Sequence, residues 1–254
     1  CPTQPAPDSD TCSEIVPHIA LTNTKNRPRA LSQTKPRFCQ DRAKRMVSLK
    51  PNGFQITLPD WWPPTFNESM NFILGMQEVV EDIYMILYNP PHAKVLLSLE
   101  EIRLLKQSVQ NLVGIKCAGG DEQWYSQRRE LLDDFSVFVP GHTVVYGKPL
   151  GANGSYSNVA CLSPNGAVKI WDLIEKDYEK AKQLEAKVLN FMKQHILPFA
   201  NKLSNTGLDK LLASVGGWGP VSEKVLWPYD GATTEDVKKI KIHANNELEE
   251  ILNV

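Results

Sequence analysis

Short runs of apolar residues alternate with longer amphipathic segments along much of the chain. The short runs predict strands at residues 15–21, 54–58, 83–88, 112–116, 135–139 and 151–156. Segments with apolar residues at three- and four-residue spacing predict helices at 38–49, 66–80, 98–108, 121–133 and 142–149. Strands that alternate with helices are typical of a parallel sheet joined by helical crossovers.

The pattern changes at both ends of this alternating region. Residues 1–14 are polar and rich in proline, and they are expected to stay mobile because they have almost no large apolar group to bury. After Pro164 no further strand is predicted, and helices are expected at 165–201, 205–215 and 233–252. The helix at 98–108 has the clearest start, because Ser98 and Glu101 have the spacing of a capping box.

Six such strands fit either an open doubly wound sheet or part of an eight-stranded barrel, and the pattern alone does not choose. The position of the unusual residues favours the barrel. They fall at or just beyond the predicted strand ends, at Tyr88, Lys116, Gly141-His142 and Gly154-Ser155-Tyr156. In a barrel those ends form one face, which is where barrel enzymes carry their chemistry.

Composition and charge exclude several classes of partner. The 254 residues carry 28 basic and 29 acidic side chains, so the net charge of −1 gives no field that attracts nucleic acid or anionic lipid. No apolar run approaches the roughly 20 residues of a membrane span. The five cysteines are odd in number and widely spaced, which favours reduced thiols and a cytoplasmic protein.

A tyrosine and a lysine at successive strand ends suggest imine chemistry. Free lysine has a pKa near 10.4, but a lysine in an apolar pocket loses its proton more easily and becomes a nucleophile. Each residue also has an ordinary interpretation. Lys116 could be a surface lysine whose stem lies along the sheet, and Tyr88 could be a packed aromatic residue.

Three segments resemble the dihydrodipicolinate synthase and N-acetylneuraminate lyase family. They are Tyr88-Asn89-Pro90-Pro91, Val113-Gly114-Ile115-Lys116, and the glycine-rich run from Gly151 to Asn158 followed by Pro164. They occur in the family's order and spacing, and the resemblance extends from about Phe54 to the C-terminus. Residues 16–20 resemble the third barrel strand less closely.

The resemblance implies a (β/α)₈ TIM barrel with a C-terminal helical extension and class I aldolase chemistry on pyruvate or another 2-oxo acid. Lys116 would form the Schiff base and Tyr88 would carry protons. The substrate would be bound by Gly141, His142, Gly154, Ser155 and Tyr156. The resemblance further implies a homo-oligomer, dimer or tetramer. The chain would then divide into the mobile segment 1–14, a partial barrel at 15–164, and the last barrel helix with a helical region at 165–254.

The chain departs from the family in three places. The first two barrel strands and their Gly-Thr-Thr-Gly-Glu-type motif are not found, and the chain begins with Cys1, as a processed chain or a fragment does. Trp61-Trp62 replaces a frequent tyrosine pair, and we interpret these indoles as a packing or subunit-contact feature. His92-Ala93-Lys94 stands where dihydrodipicolinate synthases usually carry an arginine, which argues against that particular synthesis.

These departures leave two alternatives to an active lyase. The chain could be a non-catalytic barrel that serves ligand binding or assembly, or an incomplete copy of an active enzyme. A metal site is not expected, because His18, His92, His195 and His243 are isolated in sequence and imine chemistry needs no metal. No cofactor is predicted either.

Overall fold

The structure is a computed structural model that describes residues 29–31 and 36–253. The described residues divide into two units. The first contains the residues up to Val139 together with Leu150–Ser155, and the second contains Pro140–Pro149 and the residues from Tyr156 onward. The predicted strand at 15–21 and the predicted mobile segment 1–14 lie outside the described residues.

The first unit is built on a six-stranded parallel sheet. The strands are β1 (Arg29–Leu31), β2 (Gly53–Thr57), β3 (Tyr84–Tyr88), β4 (Leu112–Lys116), β5 (Ser136–Val139) and β6 (Gly154–Ser155). Each strand pairs with the next one along the chain, and all five pairings are parallel. A doubly wound sheet reverses its strand order at a switch point, whereas consecutive barrel strands do not. The topology is therefore that of a barrel.

Four helices of the first unit alternate with the strands β1 to β5 along the chain. They are α1 (Pro36–Val47), α2 (Phe66–Val80), α3 (Leu99–Ser108) and α4 (Glu122–Leu131). The predicted capping box is present at α3, where the Ser98 backbone N–H donates to Glu101 Oε2 at 2.8 Å and the Glu101 N–H donates to Ser98 Oγ at 3.2 Å. Thr65 and Glu68 form a second capping box at the start of α2.

The two faces of the sheet differ in chemistry. One face carries large apolar side chains that are almost fully buried, namely Phe54, Ile56, Met85, Leu87, Ile115 and Val137. Since successive side chains of a strand point to opposite faces, the other face is mixed: it carries Gln55, Thr57, Tyr88, Lys116 and Ser136 together with the buried Ile86 and Phe138. Helices pack on the outer face of a (β/α) barrel through apolar side chains, so we assign the mixed face, which carries Tyr88 and Lys116, to the barrel interior.

The second unit is helical apart from its turns. Its elements are a 3₁₀ turn (Gly141–Thr143), α5 (Val144–Leu150), α6 (Val159–Leu162), α7 (Pro164–Lys176), α8 (Tyr178–Phe191), a π-helical turn (Met192–Ile196), a 3₁₀ turn (Leu197–Phe199), α9 (Asn205–Gly216), α10 (Thr234–Glu247) and α11 (Glu249–Leu252). The core of this unit includes Leu162, Ile170, Leu184, Val188, Phe191, Leu211, Val215 and Ala244.

The structure corrects two predicted helices and adds one strand that was not predicted. β1 was not predicted, because a three-residue strand carries too little periodicity to be recognised. The predicted single helix at 165–201 is wrong, since the helix breaks at Asp177, whose non-helical backbone (φ −156°, ψ 83°) lets its side chain cap α8. The predicted helix at 233–252 breaks at Leu248.

Within the part of the chain that the structure describes, no helix combines the length and the apolar character needed to cross a lipid bilayer. The predicted division at residues 14 and 164 stays a prediction, since the two units are defined by contacts rather than by that division.

Candidate active site

The centre of the candidate site is the pairing of Tyr88 with Lys116 at the carboxyl ends of β3 and β4. The two residues are register partners, so their side chains leave the same face of the sheet. Both are half-buried, whereas Leu87 and Ile115 just before them are buried. The site is therefore at the rim of the barrel interior, where a side chain can reach both an apolar wall and a ligand.

The lysine and the tyrosine are in direct contact. Lys116 Nζ lies 4.0 Å from the centroid of the Tyr88 ring, over its face. A charged ammonium group is attracted to the electron-rich face of an aromatic ring, so this contact fixes the position of the lysine terminus. Thr57, the register partner of Tyr88 on β2, adds a half-buried hydroxyl to the same row of side chains.

Asn89 holds the chain that leaves β3 after Tyr88. Its backbone N–H donates to the Lys116 carbonyl at 2.9 Å, which continues the β3–β4 ladder by one residue. Its buried side chain donates to the Val95 carbonyl at 2.8 Å and accepts from the Leu97 N–H at 2.9 Å. Residues 89–97 therefore form a closed loop, which holds the backbone that follows Tyr88.

The glycine-rich segment after residue 150 is anchored to β5. The Asn153 side chain accepts from the Val137 N–H at 2.9 Å, while the Asn153 N–H donates to the Val137 carbonyl at 2.8 Å. At Gly154 a Cβ would lie 2.9 Å from the ring of Phe138, so only glycine allows this approach. Gly154 is the register partner of Phe138, which is the partner of Lys116. Gly154 therefore lies on the same face of the sheet as Lys116 and at the same level, two strands away.

Ser155 lies on the other face of β6. It is the register partner of Val139, and alternation turns its side chain away from the row that contains Lys116. Its hydroxyl oxygen is buried and has no hydrogen-bond partner among the described residues. A contact between Ser155 and a ligand at Lys116 would therefore use the backbone rather than the hydroxyl.

The residue after the lysine is a thiol of low reactivity. Burial raises the pKa of Cys117, and its hydrogen bond to the Gly119 backbone offsets this only partly. A thiol with a raised pKa stays protonated and is a poor nucleophile. The Cys117 N–H donates to the Phe138 carbonyl at 3.0 Å, so this residue serves to continue the β4–β5 ladder.

Three of the predicted binding residues, Gly141, His142 and Tyr156, belong to the second unit. Gly141 leaves no room for a side chain, because a Cβ would lie 1.9 Å from Ser157 Oγ. The half-buried His142 shares a hydrogen bond with the Asn158 side chain, in which Nδ1 lies 3.0 Å from Oδ1 and 2.8 Å from Nδ2. Burial raises the pKa of Tyr156 to about 12, so at neutral pH it is a hydrogen-bond donor and not a base.

The structure therefore brings Lys116, Tyr88 and Gly154 onto one row and groups Gly141 and His142 with residues of the second unit. The role of these residues in substrate binding stays a prediction.

The sequence patterns did not reveal the polar residues that fix the loops, which are Asn89, Asn153 and Asn158. Their signal in the sequence is an asparagine placed just after a strand or in a glycine-rich turn, where its side chain can satisfy backbone groups.

Two histidines that are isolated in the sequence come together in the structure. The rings of His195 and His243 stack with centroids 4.2 Å apart, and both approach Glu247. The sequence could not reveal this group, because His195 and Glu247 are 52 residues apart and belong to different helical elements.

Comparisons with known proteins agree with this fold. The sequence model of the Dihydrodipicolinate synthetase family matches residues 46–243. No curated protein sequence is a significant match. Among solved structures, wild-type sialic acid aldolase from Ruminococcus gnavus is 12% identical, with a TM-score of 0.73 over 92% of this chain and 78% of that chain.

Two further solved structures have the same architecture. N-acetylneuraminate lyase from Mycoplasma synoviae is 17% identical, with a TM-score of 0.70 over 95% of this chain and 80% of its own. The YagE prophage protein of E. coli K12, solved in complex with pyruvate, is 18% identical, with a TM-score of 0.74 over 94% and 80%. Likeness at this identity shows the fold, so the predicted barrel class is confirmed. Since the family model covers most of the chain, the chain belongs to the dihydrodipicolinate synthetase family, a family of lyases and aldolases.

Proposed function

We propose that the chain is a class I aldolase-type lyase that forms a Schiff base between Lys116 and pyruvate or a related 2-oxo acid. The observation that carries the proposal is the contact between Lys116 Nζ and the Tyr88 ring at paired strand ends, 4.0 Å apart. Membership of a family of lyases and aldolases supports the same reaction class.

In the proposed reaction, the neutral amine of Lys116 attacks the ketone carbon of the 2-oxo acid and forms a carbinolamine. Loss of water then gives a protonated imine, which accepts an electron pair from the neighbouring carbon when a carbon–carbon bond breaks. This cleavage takes the proton of the substrate hydroxyl, releases an aldehyde and leaves an enamine, which gains a proton at that carbon to become the imine again. In the direction of bond formation the imine loses the same proton, and the resulting enamine is the carbon nucleophile that attacks the aldehyde. Hydrolysis of the imine returns the lysine and the 2-oxo acid.

Tyr88 is suited to the proton transfers of these steps. Carbinolamine formation and dehydration move protons to and from the substrate oxygen, and a positioned hydroxyl within hydrogen-bond reach lowers these barriers. The Tyr88 ring already contacts the lysine, and Asn89 fixes its backbone. The tyrosine therefore stays in place while the lysine changes its bonding.

The proposed binding residues fall into two kinds. Gly141 and Gly154 have no room for a side chain, so they would offer backbone groups to the substrate carboxylate or hydroxyls. His142 and Tyr156 would supply polar side chains, with Tyr156 as a donor. Ser155 would contribute its backbone, since its side chain lies on the other face of the strand.

A non-catalytic barrel is the second candidate, and the observation that favours it is at Trp61 and Trp62. These side chains are 82% and 77% exposed and stand where the family often has tyrosines. An indole N–H donates a hydrogen bond but cannot relay a proton. A relay that depended on this position would be lost, and the chain would bind a 2-oxo acid without turning it over.

Turnover separates the two candidates. Purified chain is incubated with N-acetylneuraminate and a panel of 4-hydroxy-2-oxo acids, and released 2-oxo acid is measured by coupled reduction with NADH. We expect release that is abolished in Lys116→Ala and retained in Lys94→Ala, a lysine exposed in the loop after β3. Equal rates in Lys116→Ala and the unaltered chain would rule out the Schiff-base lyase. Binding without release in the unaltered chain would favour the non-catalytic barrel.

A further inference from the structure

Three side chains of the types that ligate metals lie together in the second unit, whereas Lys116 and Tyr88 belong to the first. His195 Nε2 lies 2.9 Å from Glu247 Oε1, and His243 Nδ1 lies 3.6 Å from the same oxygen. One ligand atom from each of the three residues lies within 4.8 Å of the other two. The proposed imine chemistry uses none of these residues.

The local backbone explains why the three side chains meet. His243 and Glu247 are four residues apart on α10, so they lie on one face of that helix. His195 belongs to the π-helical turn Met192–Ile196, which follows α8. A π-helical turn carries an extra residue, which rotates the side chains that follow, and such turns occur often at functional sites. Phe191 packs against His195 with centroids 5.1 Å apart and supports its ring.

The donor set suits a divalent transition metal. Two imidazole nitrogens and one carboxylate oxygen are ligands of Zn²⁺, and three protein ligands leave a fourth position for water. In a tetrahedral site with bonds of about 2.0 Å, the ligand atoms are about 3.3 Å apart. The two contacts to Glu247, at 2.9 and 3.6 Å, lie on either side of that spacing.

Burial and charge also fit an ion. The His195 side chain is 15% exposed, Glu247 is 32% exposed and His243 is 52% exposed, so the group has a fixed inner ligand and an open outer side. The ring of the half-exposed His243 stacks on His195, and a rotation out of this stack would bring its nitrogen closer to Glu247. Glu247 is the last residue of α10, where the carbonyl end of the helix attracts a cation.

We propose that His195, His243 and Glu247 form a binding site for a single divalent transition metal ion of the Zn²⁺ type. The ion joins the π-helical turn to α10 through three coordinate bonds and keeps one position for water. Its effect is to tie together two helical segments whose ligands are up to 52 residues apart.

The proposal is tested with the full chain after removal of metals by EDTA. Equilibrium dialysis against ZnSO₄ and elemental analysis give the number of ions bound and the affinity. We expect one high-affinity Zn²⁺ per chain, and an affinity at least about tenfold lower in His243→Ala and in Glu247→Gln. The matched control is His92→Ala, which removes an exposed histidine of the first unit and is expected to leave the affinity unchanged.

Cysteines are the competing ligands, so Co²⁺ is used as a spectroscopic probe. A site of two imidazoles and a carboxylate gives visible d–d absorption without the near-ultraviolet band of thiolate coordination. We expect this spectrum in the unaltered chain and its loss in His243→Ala, with circular dichroism showing that the variant stays folded. The proposal is overturned if the affinity is the same in His243→Ala and Glu247→Gln, if no ion binds, or if alkylation of the cysteines removes the bound metal.

Discussion

The register of the sheet brings Tyr88 and Lys116 together, although each stands on a different strand. On neighbouring parallel strands the paired residues leave the same face, so a tyrosine and a lysine 28 positions apart come into contact. The sequence predicted both residues, because each stands at the end of an apolar run and within a family motif. Their contact over the ring face could not be predicted, since it depends on side-chain rotamers.

The tyrosine hydroxyl can be tested apart from its ring. Tyr88→Phe keeps the ring that contacts Lys116 Nζ and removes only the proton carrier. We expect kcat for 2-oxo acid release to fall about 10²-fold or more, with KM changed by less than about threefold. Steady-state kinetics measure both constants. A variant with an unchanged kcat would show that Tyr88 moves no proton in the rate-limiting step.

Among the elements, the loops after the strands are held by the side chains of two asparagines, of which Asn89 is buried and Asn153 is half-buried. Asn89 closes the loop after β3, and Asn153 ties the glycine-rich segment to β5. The buried Arg128 adds to the second anchor, because its guanidinium group donates to the Phe135 carbonyl and to Asn153 Oδ1. The geometry of the candidate site therefore depends on the loops that these side chains hold, as well as on the strands.

Loss of the Asn89 anchor is expected to cost stability. Asn89→Ala leaves the Val95 carbonyl and the Leu97 N–H without their side-chain partner, and two such losses in a mostly buried place lower the free energy of unfolding by about 1–3 kcal/mol. Urea denaturation measures the change. The control is Asn67→Ala, an exposed asparagine of α2 that is expected to change the same free energy by less than about 0.5 kcal/mol. Equal changes in the two variants would argue against the anchor.

Elements were predicted well where apolar periodicity or a capping box marks them, and poorly where the helical spacing of apolar residues continues across a break. Five strands and the start of α3 agree with the sequence patterns, because apolar alternation and a capping box are local signals. The break at Asp177 was missed, because the helical spacing of apolar residues continues on both sides of it. The approach of His195 to Glu247 was missed because it joins distant segments.

At the scale of the whole molecule, the exposed indoles of Trp61 and Trp62 suggest assembly. These two adjacent large apolar side chains are 82% and 77% exposed, and a subunit contact would bury them. We propose that this surface contributes to a homo-oligomer, as the family resemblance implies.

Assembly can be tested with both indoles removed. Sedimentation velocity of the unaltered chain is expected to show a dimer or tetramer, and the double variant Trp61→Ser and Trp62→Ser is expected to shift toward the monomer. Trp227→Ser serves as the control, since this side chain is 92% exposed in a different part of the chain. A double variant that sediments as the unaltered chain does would show that the indoles lie outside the subunit contact.

The proposed function depends most directly on an imine between Lys116 and a 2-oxo acid. Borohydride reduces such an imine to a stable amine, so the chain is treated with pyruvate and borohydride and digested for peptide mass spectrometry. We expect a mass increase on the peptide that contains Lys116, absent from Lys116→Ala and present in Lys94→Ala. A folded chain that gives no adduct with pyruvate or any related 2-oxo acid, or an adduct only on other lysines, would contradict it.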